Sequence, residues 1–182
     1  TYSNTGLSNA TTYYYTLYAW DDLNNSSVGT TQVSQTTHYV ATKLVIAYPG
    51  QTFTSGSGVS GTATSQTAGT AFDATIYAVD ASNNLGGLAS NTVTLTSDDS
   101  QATMPDAAAL SSGSKAFSAT LKTAGITTVT AAASGLTSGS SSVTVTASTT
   151  PSTTNSTVTT NSSSLTVDNQ ATITTTLKDA YG

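Results

Sequence analysis

Residues 115–131 read KAFSATLKTAGITTVTA, and their alternation leaves the backbone little choice. Phe117, Ala119 and Leu121 alternate with Ser118, Thr120 and Lys122; Thr123, Ala124 and Gly125 interrupt the run; Thr127, Val129 and Ala131 then resume it. A period of two places each set on one face of an extended chain, so the stretch predicts a strand, a tight turn and a second strand, each half buried. Short alternating runs and small-residue turns recur on both sides of it. The predicted fold class is therefore all-β, a row of tandem antiparallel β-sandwiches rather than one large domain.

The charged residues support this and narrow the function. All nine acids are aspartate, all four bases are lysine, and glutamate and arginine are absent. Those two favour helix, whereas the abundant Val, Thr and Tyr favour strands, so almost no helix is expected. About 38% of the residues are Ser or Thr, so hydroxyls replace the charged residues that normally make up about 25% of a chain. A net charge of -5 without arginine argues against a phosphate-tracking surface, and nucleic acid is not expected as a partner. No run of about 18 apolar residues and no basic-then-apolar leader lies within these residues, so no membrane span is expected in them. The length of 182 residues allows one complete domain with flanking pieces. Because the chain begins at Thr1, processing or truncation is expected; the absence of cysteine fits a bacterial surface protein stabilised by sheet area.

In residues 1–37, Tyr13, Tyr15, Leu17 and Ala19 share one strand face while Tyr14, Thr16, Tyr18 and Trp20 share the other. Leu7, Thr11 and Tyr13 have the spacing of the corner before the sixth strand of a fibronectin type III domain, which this segment resembles. The resemblance implies the C-terminal part of such a sandwich, with Tyr13 as a corner tyrosine bonded to nearby backbone. Residues 21–27 would be its last loop and 29–37 its last strand. A part-sandwich exposes a core face, so the missing strands are expected either from a longer chain or from another molecule by strand addition.

Residues 38–42 read as a junction and 43–147 as one complete module. Strands are expected at 44–47, 72–79, 91–96, 115–121, 126–132 and 141–147, with a further one within the Gly/Ser-rich passage 50–69. Three stretches, AFDATIYAVDASNN, SNTVTLTSDDSQATMP and FSATLKTAGITTVTA, resemble in that order the bacterial immunoglobulin-like repeats of invasin- and intimin-type surface proteins. The family's turn forms are matched by Val79-Asp80-Ala81, Thr96-Ser97-Asp98 and residues 121–131. The chain departs from the family in passage 50–69 and in lacking a cysteine or tryptophan pin between sheets. Residues 148–160 read as a Ser/Thr-rich linker. Residues 161–182 then begin a second immunoglobulin-like domain, with Lys178-Asp179-Ala180 matching Val79-Asp80-Ala81 99 residues on.

Chemistry is sparse. A nucleophile–base constellation would have to run through His38, the single histidine, at a junction, and no catalytic residue is assigned. The adjacent pairs Asp21-Asp22 and Asp98-Asp99 would diverge on extended backbone, which disfavours paired-carboxylate catalysis. The cofactor expectation is none, with calcium as the alternative: Asp80, Asp98 and Asp99 are the candidate ligands, because hard cations take several oxygens from loop carboxylates and amides. The exposed aromatic face of Tyr14, Tyr18 and Trp20 is the candidate binding surface, for carbohydrate or a surface protein.

The sequence therefore predicts a non-catalytic segment of a secreted or cell-surface bacterial protein, acting as stalk, spacer or filament subunit with adhesion as a possible role. Its partners would be neighbouring modules of the same chain or like subunits. The alternatives are a carbohydrate- or protein-binding module, or ancillary modules of a secreted polysaccharide-active enzyme.

Overall fold

The computed structural model describes residues 3–181; Thr1, Tyr2 and Gly182, at the outer ends of the first and last segments, lie outside the described residues. No helix occurs among the described residues, which are strands and turns throughout.

The chain opens with an antiparallel ribbon of β1 (Thr12–Tyr15) and β2 (Val33–Thr36), in which Tyr13 faces Gln35 and Tyr15 faces Val33 across the ladder. Its hydrogen bonding continues past β1, from Thr30 N to Leu17 O and from Ser27 N to Ala19 O. Tyr13 behaves as the spacing implied: its hydroxyl accepts a 2.8 Å bond from Ser8 N, which folds the entering chain back over the ribbon.

The sandwich follows. β3 (Lys43–Ala47) leads into a hairpin of β4 (Thr52–Thr54) and β5 (Gly58–Ser60), then the short β6 (Gln66–Thr67) and the long β7 (Ala71–Val79). After these come β8 (Thr92–Ser97), β9 (Ala108–Ala109), β10 (Ser114–Thr120), β11 (Gly125–Ala133) and β12 (Leu136–Thr146). One layer has the order β10-β7-β3 and the other β12-β11-β8-β9. They are joined along one side, where β12 is parallel to β3 at Thr137 and to β6 at Val145 and Thr146. Antiparallel layers face to face, with an opening strand that crosses to meet the last strand in parallel, make this an immunoglobulin-like β-sandwich. Gly139 permits the crossing, since a Cβ there would strike the carbonyl of Leu44.

Alternation determines the filling. From one layer come Leu44, Ile46, Phe72, Ala74, Ile76, Phe117 and Ala119; from the other come Val93, Leu95, Val129, Ala131, Val143 and Val145. Ile76 is 0% exposed. Tyr48 takes the place of a disulfide or tryptophan pin: it packs edge-on to Phe72 at 6.1 Å, and its hydroxyl donates to Ser141 O on the opposite layer at 2.7 Å. On the outer side of β11 and β12, hydroxyls pair across the strands, Thr128 with Ser142 at 3.1 Å and Thr130 with Ser140 at 2.9 Å.

The passage 50–69 holds three short strands where one was expected. Its hairpin lies on the outside of the first layer, with Phe53 stacked on Tyr77 at 4.1 Å. β12 begins earlier than its alternation indicates, because LTSGS pairs with β11 without an apolar residue at every second place.

Within the stretch read as linker, β13 (Thr157–Thr160) pairs with β14 (Ile173–Thr176) to form a second ribbon. β13 is exposed along its whole length, so no hydrophobic period marked it.

Candidate functional site

The candidate aromatic face is open. Trp20 is 68% exposed, Tyr14 64% and Tyr18 53%, whereas Tyr13 and Tyr15 on the other side of the strand are half buried. Tyr18 lies across the ribbon against Gly29, where a Cβ would sit 2.8 Å from its ring, so glycine leaves room for the ring to lie over the backbone. Trp20 bridges to Ser26 at the end of the ribbon.

The aspartates serve turns. Asp80 Oδ1 accepts from Ser82 N at 2.9 Å and Asn84 N at 2.8 Å, and its Oδ2 from Asn84 Nδ2 at 2.9 Å. Asn83 supplies the left-handed residue, φ 65°. The Asn84 side-chain bond, assisted by the two backbone bonds, holds the Asp80 carboxyl below its ordinary value. Asp21 makes the same turn with Leu23 N, Asn25 N and Asn25 Nδ2, each at 2.9 Å, and with Asn24 at φ 63°. The repeated pattern Asp-x-x-Asn-Asn at 21–25 and 80–84 was readable in the sequence as one turn used twice.

Asp98 and Asp99 separate as expected for neighbours on extended backbone. Asp98 Oδ1 accepts from Thr128 N on β11 at 2.8 Å, whereas Asp99 turns inward and is 7% exposed. Asp99 Oδ2 accepts from Lys122 N at 2.6 Å and Thr123 N at 3.0 Å; its Oδ1 accepts from Thr123 Oγ1 at 2.7 Å and Gln101 N at 3.0 Å. Burial pushes this carboxyl up, but the four hydrogen bonds to its charged form prevail and bring it to about 2. Asp99 thus ties the turn after β8 to the turn between β10 and β11.

These three aspartates do not converge. β7 runs out at Asp80, β8 starts back from that end, and Asp98 and Asp99 lie at the other. Among the described residues, no group of three or more metal-ligating side chains is assembled. His38 lines a shallow concavity with Val40, Leu88, Ala89, Asn91 and Leu136. Among the described residues, no carboxylate or serine lines it.

The far end of the sandwich carries a contact that single-residue reading missed. Asp179 Oδ2 accepts from Ser148 N at 2.8 Å, just beyond β12, and its Oδ1 accepts from Tyr181 N at 2.9 Å. Tyr181 packs half buried against the sandwich core, and Lys122 Nζ is 6.0 Å from its ring centre. A cleft of about 380 Å³ opens beside it, lined by Thr123, Ala147, Pro151, Leu177 and Asp179 among others. The 99-residue repeat was the available signal, since it places Tyr181 where the first turn has Ser82.

No known protein-family profile matches the chain. No curated protein matches it either. Among solved structures, it is similar to a β-glycosidase from Bacteroides vulgatus (TM-score 0.45, 12% identity, 63% of this chain and 15% of that one). It is also similar to the D00-D0 domain of intimin (TM-score 0.41, 17% identity, 78% and 66%) and to an S-layer protein (TM-score 0.43, 15% identity, 96% and 29%). The chain thus spans a small part of the glycosidase and S-layer chains and less than two thirds of the intimin one. None of these TM-scores reaches 0.5.

Proposed function

We propose that this chain is a non-catalytic stretch of a secreted or cell-surface bacterial protein in which β-sandwich units in series act as a spacer. The observation that carries this reading is the turn at Asp179, which repeats the carboxylate bond of the Asp80 turn 99 residues later and follows a second ribbon that lies just beyond a complete sandwich. Units repeated in series, each with its own core, set a length between what lies on either side. The hydroxyl-rich, weakly charged surface suits that task, since it offers few long-range attractions to unrelated molecules.

Labelling tests the location. Antibody raised against residues 43–147 is expected to stain intact source cells or to capture the protein from their medium. Staining confined to permeabilised cells overturns the proposal.

A second reading has one observation in its favour, the exposure of Tyr14, Tyr18 and Trp20 on the first ribbon. Flat exposed rings suit the apolar faces of sugars or a protein surface. On this reading the chain is retained on a neutral polysaccharide column, and Trp20→Ala abolishes retention while the circular dichroism spectrum is unchanged. Equal elution of the two proteins removes it.

A further inference from the structure

The second Asp-Ala turn shares the first turn's bond from the N–H two residues on, but its other carboxylate oxygen has a different partner, Ser148 N in place of Asn84 Nδ2. In the first, Ser82 N donates to Asp80 Oδ1; in the second, Tyr181 N donates to Asp179 Oδ1. The first turn is covered by its own unit: Gly56 N bonds Asn83 O at 2.9 Å and Leu85 N bonds Ser55 Oγ at 2.9 Å, both from the β4–β5 hairpin. The second unit has only residues 161–172 between its two strands, where the first has 48–70 with that hairpin. Its own unit holds the second turn through Asn155 Nδ2, which donates to Asp179 O at 3.0 Å, and the face left open lies against the preceding sandwich.

That surface has a defined shape. Gly69 is at φ 78°, and its N–H bonds Leu121 O at 2.8 Å, so the chain before β7 is pinned to the end of β10. A Cβ on Gly69 would lie 2.5 Å from Tyr181 Cε2 and 2.8 Å from Cζ, so the ring rests directly on the glycine backbone. Gln101 Nε2 donates to Tyr181 O at 3.4 Å, and the Lys122 ammonium lies 6.0 Å from the ring centre, at the outer limit of a cation–π contact. Asp99 holds Lys122 N and Thr123 N in place beneath this arrangement. The peptide leaving the sandwich is fastened as well, since Ser148 N donates to Asp179 Oδ2.

We propose that the end of the sandwich formed by Gly69, Gln101, Leu121 and Lys122 is a docking socket for the Asp-Ala-Tyr turn of the following unit, which fixes the angle between successive units. The inference rests on the reading of the chain as a series of units, and it adds that the junction is stiff. Three contacts hold the turn, the Tyr181 ring on Gly69, the Tyr181 carbonyl on Gln101 Nε2 and the Asp179 carboxylate on Ser148 N, so rotation about the connecting peptide breaks at least one. At the opposite end, among the described residues, no hydrogen bond joins residues 3–37 to 43–147, and the contacts run through the junction, with His38 against Gly87 and Thr42 N bonded to Val79 O at 2.8 Å.

The chain contains no cysteine, so two can be placed freely for spin labels, at Ser118 on β10 and Val158 on β13. Pulsed electron–electron resonance on this pair is expected to give one narrow distance distribution in the parent. Tyr181→Ser, which installs the residue that the first turn carries at this place, is expected to at least double its width, while Tyr181→Phe retains it. The thermal unfolding midpoint of the sandwich, measured in parallel, is expected to be the same in all three. A parent distribution already as broad as that of Tyr181→Ser overturns the socket, and so does a narrow distribution that survives the substitution. Either result leaves the surface-labelling test standing, so failure of the socket is distinguishable from failure of the spacer reading.

Discussion

The two ends of the sandwich are closed in opposite ways. Where β7 runs out, the Asp80 carboxylate binds only residues up to four positions away, and the covering hairpin β4–β5 belongs to the same unit. At the other end Asp99 reaches 23 and 24 positions to Lys122 and Thr123, and Gln101 reaches 80 positions to Tyr181. A turn closed by its own residues is portable, which is why the same five-residue pattern stands at Asp21 on a different ribbon. A turn closed by distant residues forms only when the fold forms, and it makes that end sensitive to substitution and to what is packed against it.

The comparison breaks most readily at Asp99. Asp99→Ala leaves the N–H groups of Lys122 and Thr123 without their buried acceptor and is expected to cost about 3 kcal/mol of sandwich stability in urea unfolding. Asp80→Ala, at the turn closed by its own residues, is expected to shift the midpoint far less; equal shifts would remove the distinction between the ends.

Acid sharpens the same contrast. The Asp99 carboxyl is lowered in the folded state from an ordinary 3.8 to about 2, so the unfolded chain takes up the proton first as pH falls. Its contribution is complete above about pH 4 and is lost as pH falls through about 2, a loss of about 2 kcal/mol. Unfolding midpoints measured from pH 5 to 2 are expected to show this fall in the parent and a smaller one in Asp99→Asn.

At the opposite end, Phe53→Ala removes the ring stacked on Tyr77 and is expected to cost about 1 kcal/mol, with the hairpin amides gaining hydrogen exchange while those of β7 and β3 stay protected. The smallest effect is expected for Asp21→Ala, which lies outside the sandwich and should leave its unfolding midpoint unchanged.

Much of the sandwich was legible because burial imposes a period of two. Phe72, Ala74, Ile76 and Ala78 announce β7, and Phe117, Ala119 and Leu121 announce β10 with the turn that follows. Strands without a buried face gave no such signal: β13 is TVTT with every residue exposed, and the first half of β12 is Gly and Ser. The candidate residues divide similarly. Parity accounts for exposed Tyr14 against half-buried Tyr13 and Tyr15 but not for Tyr18 and Trp20, since Leu17, in phase with that pair, is itself 72% exposed. Asp99 was singled out as a metal ligand, yet it continues the inward phase of Val93 and Leu95. That phase was available as a sign that its carboxylate is turned to the interior, where backbone N–H groups take up its oxygens. Tyr181 could not be found by periodicity at all, because its partners at Gly69 and Gln101 are remote in sequence and belong to a different unit.

The paired hydroxyls on the outer face of β11 and β12, Thr128 with Ser142 and Thr130 with Ser140, have a consequence for the medium in which such a chain can work. Attraction between exposed ions fades as the screening length falls from about 30 Å in dilute buffer to about 3 Å in molar salt. A bond between two neutral hydroxyls carries no net charge to screen and no proton to lose near neutrality. A surface knitted this way keeps its cross-strand links from fresh water to brine.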